Sequence, residues 1–84
     1  MNWKDNETWS IWIDTVNNIV IKHVIEYDKY YERYKLTVYI DWELYNQLTE
    51  FDTIQDAKYF SYAYNEWLSA AFVYTKIKLS FLFN

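Results

Sequence analysis

The side chains of this chain that could do chemistry are one histidine, twelve carboxylates and ten tyrosines, with no cysteine among them. His23 is the only candidate general base. That role needs an orienting partner and a pocket, and the run Val20-Ile-Lys-His-Val-Ile25 nominates neither. His23 is therefore expected to be a satisfied, partly buried histidine. No metal site is expected, because no second histidine shares the load and carboxylates alone favour weak binding of hard cations. Glu50 and Asp52 could form an acid–base pair, but glycosidase-like chemistry needs two carboxyls facing across a cleft. A chain of 84 residues has little room for one. No catalytic or cofactor motif stands out, so neither an enzyme nor a cofactor is expected.

Nine of the ten tyrosines fall in two groups, Tyr27, Tyr30, Tyr31, Tyr34 and Tyr39, then Tyr59, Tyr62, Tyr64 and Tyr74. Stacking on nucleic-acid bases uses such rings in positive grooves. This chain has a net charge of −4 and a single arginine, so direct nucleic-acid binding is not expected. Protein contact fits better, since tyrosine offers large area at low entropy cost. Aromatic residues make up 24% of the chain, more ring surface than a domain this small can bury, and exposed aromatic patches mark partner contact.

The charges are unevenly placed. Asp41, Glu43, Glu50, Asp52 and Asp56 lie between Leu36 and Ala57 with no base among them. Such a stretch suits a basic partner, although small domains also carry acid simply for solubility. With no cysteine, no signal-like opening and no uncharged run longer than Trp67–Thr75, the chain is expected to be a soluble cytoplasmic protein without a membrane span.

The length allows one domain, residues 1–84. Trp9, Trp12, Ile13 and Val16 recur at helical spacing behind Asn6, Glu7 and Thr8, which predicts a first helix stopped at Asn17-Asn18. Residues 19–41 fit a helix or a hairpin; β-branched density from Ile19 to Ile25 and alternation from Lys35 to Asp41 favour the hairpin. A turn at Asp28-Lys29 would set Ile19 opposite Val38, Ile21 opposite Leu36 and His23 opposite Tyr34. Asp41 could cap a short helix over Trp42–Phe51. Thr53, with Asp56 three residues on, caps a long helix through about Tyr74, whose core stripe includes Ala57, Phe60, Tyr64, Trp67 and Leu68. Lys76–Phe83 alternates and predicts a terminal strand. The expected fold is a small α+β domain, in the order α-β-β-α-α-β, with helices packed on an antiparallel sheet. An all-α bundle is the alternative, because hairpin turns favour glycine and there is none.

Residue usage leans heavily to Phe, Tyr, Ile, Asn and Lys and away from Gly, Ala, Arg and Pro, as in an AT-rich genome of a low-GC bacterium, its phages or an archaeal virus. The block Asn6-Glu-Thr-Trp9, followed by Trp12-Ile-Asp14, resembles the opening of short uncharacterised phage proteins. That resemblance covers about ten residues; it implies a phage accessory protein and supplies no catalytic residues.

The expected function is that of a non-enzymatic phage or mobile-element protein that binds a host protein. In its sharpest form it is a counter-defence inhibitor of the anti-CRISPR or anti-restriction kind. Asp41, Glu43, Glu50, Asp52 and Asp56 would then enter a basic nucleic-acid groove as a DNA mimic. A second expected contact surface lies on the long helix, where Tyr59 and Tyr62 stand near Asp56 and Glu66. The alternative is a structural module that buries its surplus rings in a homodimer.

Overall fold

The structure, a computed structural model, describes residues 3–83, with side chains described as far as Val73. Five antiparallel strands form one meander, β1 (Lys4–Asp5), β2 (Trp9–Val16), β3 (Ile19–Asp28), β4 (Arg33–Ile40) and β5 (Glu43–Phe51), each paired with the next. One helix follows, α1 (Ile54–Phe83). This β-β-β-β-β-α order overturns both the expected α-β-β-α-α-β arrangement and the all-α bundle.

The first correction is β2. Trp9, Ile11 and Ile13 alternate with Ser10, Trp12 and Asp14, so both faces of the strand carry large apolar residues. Apolar residues on both faces of a strand can imitate helical spacing, which is how Trp9, Trp12, Ile13 and Val16 came to match it. Asn17 and Asn18 do adopt the left-handed conformation, with φ of 52° and 67°, but as the two central residues of a tight hairpin turn rather than a helix stop. Asp41 and Trp42 do the same between β4 and β5, with φ of 50° and 70°. A glycine-free chain thus closes two hairpins with Asn, Asp and one Trp.

The hairpin expected over 19–41 is present, in a different register. Ile21 pairs with Ile40 and His23 with Val38, because the turn is longer. The Asp28 carboxylate accepts from the backbone N–H groups of Tyr30 (2.9 Å) and Tyr31 (3.2 Å) and so organises residues 29–32. The register moves by an even number, so the same side chains stay on the same face. It also sets Glu26 opposite Lys35, and Lys22 opposite Tyr39 instead of a second lysine.

The expected helix over Trp42–Phe51 is the edge strand β5. Two irregularities in its pairing with β4, between Tyr34 and Leu36 and between Val38 and Tyr39, break the period-two signal. Asp41 caps nothing helical: its carboxylate accepts from Val20 N–H at 3.0 Å, and its own N–H donates to the Val20 carbonyl at 2.8 Å.

Thr53 does cap α1, its Oγ1 accepting from Asp56 N–H at 3.1 Å. The expected strand over Lys76–Phe83 is instead a continuation of that helix backbone. No Gly or Pro interrupts the run, and extending a helix costs far less than starting one. Thirty residues at 1.5 Å each give roughly 45 Å of helix, which accounts for the long dimension of a molecule measuring 51 × 21 × 20 Å.

The helix lies across one face of the sheet. Ile21, Ile25, Leu36, Val38 and Phe51 meet Ala57 and Leu68 there, with Ile40, Leu48, Tyr64 and Phe72 packed around them. Each buried aliphatic side chain contributes about 1.5–3 kcal/mol, and Ala57, with only a methyl group, lets the helix approach closely. Among the described elements none covers the opposite face.

Candidate functional site

The expected acidic residues do not form one surface. Asp41 and Glu43 sit at one end of β5, while Glu50, Asp52 and Asp56 gather at the other, where the strand hands over to α1. Nine residues of strand at about 3.3 Å each hold the two groups some 25–30 Å apart. Asp41 is occupied in the turn described above. Asp52 lies 3.8 Å from the Arg33 guanidinium, an exposed pair worth under about 1 kcal/mol. Arg33 also donates to the Glu50 carbonyl at 3.2 Å. Glu50, Asp52 and Asp56 are all exposed, and Asp56 stands in the first turn of α1, where the helix dipole favours a negative charge.

The two helix tyrosines separate. Tyr59 is 72% exposed and points away from the sheet, as does Glu66. Tyr62 is half-buried on the flank nearer β1, where its hydroxyl accepts from Trp3 Nε1 at 3.3 Å. Beside it Lys58 reaches Asp5 at 3.2 Å and lies over the Trp3 ring at 5.3 Å. Buried Ser10 donates its hydroxyl proton to Asp5, and this bond, with Lys58 behind it, holds the Asp5 carboxyl below its ordinary range. Tyr62 therefore belongs to the clasp that fastens the short first strand to the helix. Gln55, Lys58, Tyr59 and Tyr62 line a shallow cleft of about 190 Å³.

On the other flank Phe60, Tyr64 and Trp67, expected in the core stripe of the helix, form a ladder of rings with Phe51 of β5. Phe51 meets Phe60 at 5.3 Å between centroids, Phe60 meets Tyr64 at 5.7 Å and Tyr64 meets Trp67 at 6.1 Å. Asn46 of β5 donates to the Tyr64 hydroxyl at 3.2 Å and steadies the middle rung. Phe60 is partly open and Trp67 is 60% exposed, so the ladder climbs from the core to the surface. Its foot lies at the β5–α1 junction, among Glu50, Asp52 and Asp56. The spacing of Phe60, Tyr64 and Trp67 is visible in the sequence; what hid their exposure is that a flank and a core stripe share the same period.

His23 is fully buried, not partly, and lies across the strand pair from Val38 rather than Tyr34. Its Nε2 bonds Asn65 Oδ1 at 2.9 Å, and Asn65 Nδ2 donates to Asp14 Oδ2 at 2.9 Å. Asn65 spends its amide protons on Asp14 and its oxygen on the imidazole, so Nε2 carries the histidine proton and Nδ1 is bare. Nδ1 and the buried Ser61 hydroxyl have no protein partner. Trp12 stacks on the imidazole at 5.0 Å. Burial pushes the His23 pKa down, against smaller opposing effects of the Asn65 bond and the Asp14 charge. A base sealed between sheet and helix has no route to a substrate, so this cluster is an internal tie.

Among the described residues, no group of His, Asp and Glu side chains is placed to hold a metal ion, and no helix is long and apolar enough to cross a membrane. No protein-family model matches the chain, and no curated protein or solved structure matches it either.

Proposed function

We propose that the chain is a non-enzymatic accessory protein that binds another protein through the acidic and aromatic ridge at the β5–α1 junction. The observation that carries this is the meeting of Glu50, Asp52 and Asp56 with the foot of the Phe51–Phe60–Tyr64–Trp67 ladder. Carboxylates around a partly exposed aromatic core match the make-up of contact surfaces, with rings at the centre and charge at the rim. A partner with a basic nucleic-acid groove fits, because the carboxylates offer it the charge sign that phosphate does. Asp41 and Glu43, at the far end of β5, do not share this ridge.

In its sharpest form the protein is a phage or mobile-element inhibitor of host defence, of the anti-CRISPR or anti-restriction kind, acting in the host cytoplasm. Residue usage and the Asn6–Trp9 block support that version. The test is capture from host lysate with the immobilised chain, followed by elution in rising salt or with a DNA duplex as competitor. Release by both, and loss of capture by a Glu50→Gln, Asp52→Asn, Asp56→Asn variant, is the expected result. Capture that ignores salt, or that survives in the neutralised variant, overturns the mimic.

A further inference from the structure

The face of the sheet turned away from α1 is built like an interface. Side chains alternate along a strand, so with Ile21, His23 and Ile25 beneath the helix, Lys22, Val24 and Glu26 point the other way. The pairing register then lays out two rows with apolar centres and polar members: Lys4, Ile11, Val24, Thr37 and Gln47 across β1–β5, and Ile13, Lys22, Tyr39 and Leu44 across β2–β5. Val24 and Thr37 are already buried by their neighbours, although Val24 is no part of the core under the helix. Ile13 is 47% exposed and Leu44 63%. Trp42 stands at the rim, 62% exposed and held at φ 70°, a conformation that disfavours any residue with a Cβ. Lys22 Nζ lies 5.5 Å from the Tyr39 ring and 5.8 Å from the Trp42 ring.

From these features we infer that this face is the interface of a two-fold symmetric homodimer. Two of its properties select a second copy as the occupant. The first is charge. The chain carries −4, yet on this side the central strands β2–β4 balance Lys22 and Lys35 against Glu26 and Asp28, with Arg33 turned to Asp52 at the β5–α1 junction. Two acidic molecules repel each other less here than through the acid-rich junction of β5 and α1. The second is area. Four long strands about 4.8 Å apart and about 26 Å long give a footprint of roughly 500 Å² per copy, about 1,000 Å² for a pair, at the threshold of a specific interface. A nucleic acid fits less well, because Ile11, Ile13, Val24 and Leu44 offer nothing to phosphate. Sheets packed face to face through this side leave both helices, and both acidic ridges, pointing outward, so the dimer is bivalent.

The test is sedimentation equilibrium of the whole chain from low micromolar to several hundred micromolar, beside an Ile13→Glu, Leu44→Glu variant. The expected result is a wild type that doubles in mass with concentration and a variant that stays monomeric with the same circular dichroism spectrum. A wild type that remains monomeric throughout, or a variant that dimerises equally well, overturns the inference. So does a monomer that binds a fluorescent single-stranded oligonucleotide in anisotropy titrations and loses it on the same substitutions. Should the variant not fold, an Ile13→Cys chain carries a single spin label, since the sequence has no other cysteine. Concentration-dependent coupling between labels supports the dimer, and its absence at several hundred micromolar overturns it.

Discussion

Asn65 of α1 accepts the Nε2 proton of His23 of β3 at 2.9 Å, and both side chains are buried. Through its other amide atom Asn65 also holds Asp14 of β2, so a single residue joins the helix to two strands. Apolar contacts such as Ala57 and Leu68 against Ile21 and Val38 tolerate small slides of a helix over a sheet. A directed bond in a low-dielectric interior does not. The seat of α1 on the sheet is therefore set by this contact as much as by the core around it.

Replacing Asn65 by Leu removes that bond and leaves both imidazole nitrogens buried without a partner. The expected cost is about 2–3 kcal/mol, a fall in melting temperature of roughly 10–20 °C for a domain of this size. A His23→Leu, Asn65→Leu double variant removes both partners and is expected to recover much of the loss. Thermal melts of the three proteins check this, and a double variant no better than Asn65→Leu alone would deny the bond its role.

The same histidine gives stability a dependence on mild acid. Its folded pKa lies below the ordinary value of 6.5 that it regains on unfolding. The unfolded chain therefore binds the extra proton first, and stability falls as pH drops. The contribution is whole above 6.5, declines below it, and levels once pH passes the lowered folded pKa. Asp5, lowered from 3.8 by Ser10 and Lys58, adds a separate loss in the window below 3.8. Urea midpoints between pH 8 and pH 4.5 (roughly the span in which histidine titrates) should fall for the wild type and stay flat for His23→Leu. Parallel curves for the two proteins would assign the acid sensitivity elsewhere.

Trp42 occupies the second central position of a turn that prefers glycine there. Trp42→Gly creates an Asp-Gly turn and is expected to raise stability by about 1 kcal/mol, the strain released, less the lost contact with Lys22. If Trp42 is also a rim anchor, the same change weakens self-association. Melting temperature and sedimentation measured on one sample separate the two effects, and a lowered melting temperature would show that the ring stabilises the monomer.

The helix after Thr53 and the hairpin over 19–41 were legible because their local signals agree with their burial: a cap followed by a helical stripe, and alternation around β-branched residues. β2 and β5 were not. Trp9, Ile11 and Ile13 fill the uncovered face of β2 and erase the contrast that marks a strand, and the pairing irregularities of β5 do the same to its period. Asn17-Asn18 is recognisable as tolerant of positive φ, but not as a hairpin turn until the flanking strands are identified, and Asp41-Trp42 reads as the start of a helix because a tryptophan gives no sign of a turn. Of the candidate site, the acids could be read as types yet not as places, because β5 as a strand spreads over some 25–30 Å what a helix would have gathered. The tie between His23 and Asn65 spans 42 residues of sequence and leaves no local trace.

The rings of α1 separate contact from support. Tyr59 is exposed and makes no described side-chain hydrogen bond, so Tyr59→Ser is expected to move the melting temperature by no more than about 2–4 °C (about ±0.5 kcal/mol, as for most surface changes). Tyr62→Ser breaks the bond from Trp3 and unpacks the clasp on β1, at an expected cost of about 1–2 kcal/mol. Trp67→Ser removes the exposed top of the ladder, with a small loss of ring contact to Tyr64 of about 0.5–1.5 kcal/mol. Its effect on partner capture should be far larger than on stability, because tryptophan is the residue type most enriched among interface anchors. A Trp67→Ser chain that captures its partner as well as wild type would move the contact surface off this ridge. If Tyr59→Ser alone abolished capture, it would relocate that surface to the outward face of the helix.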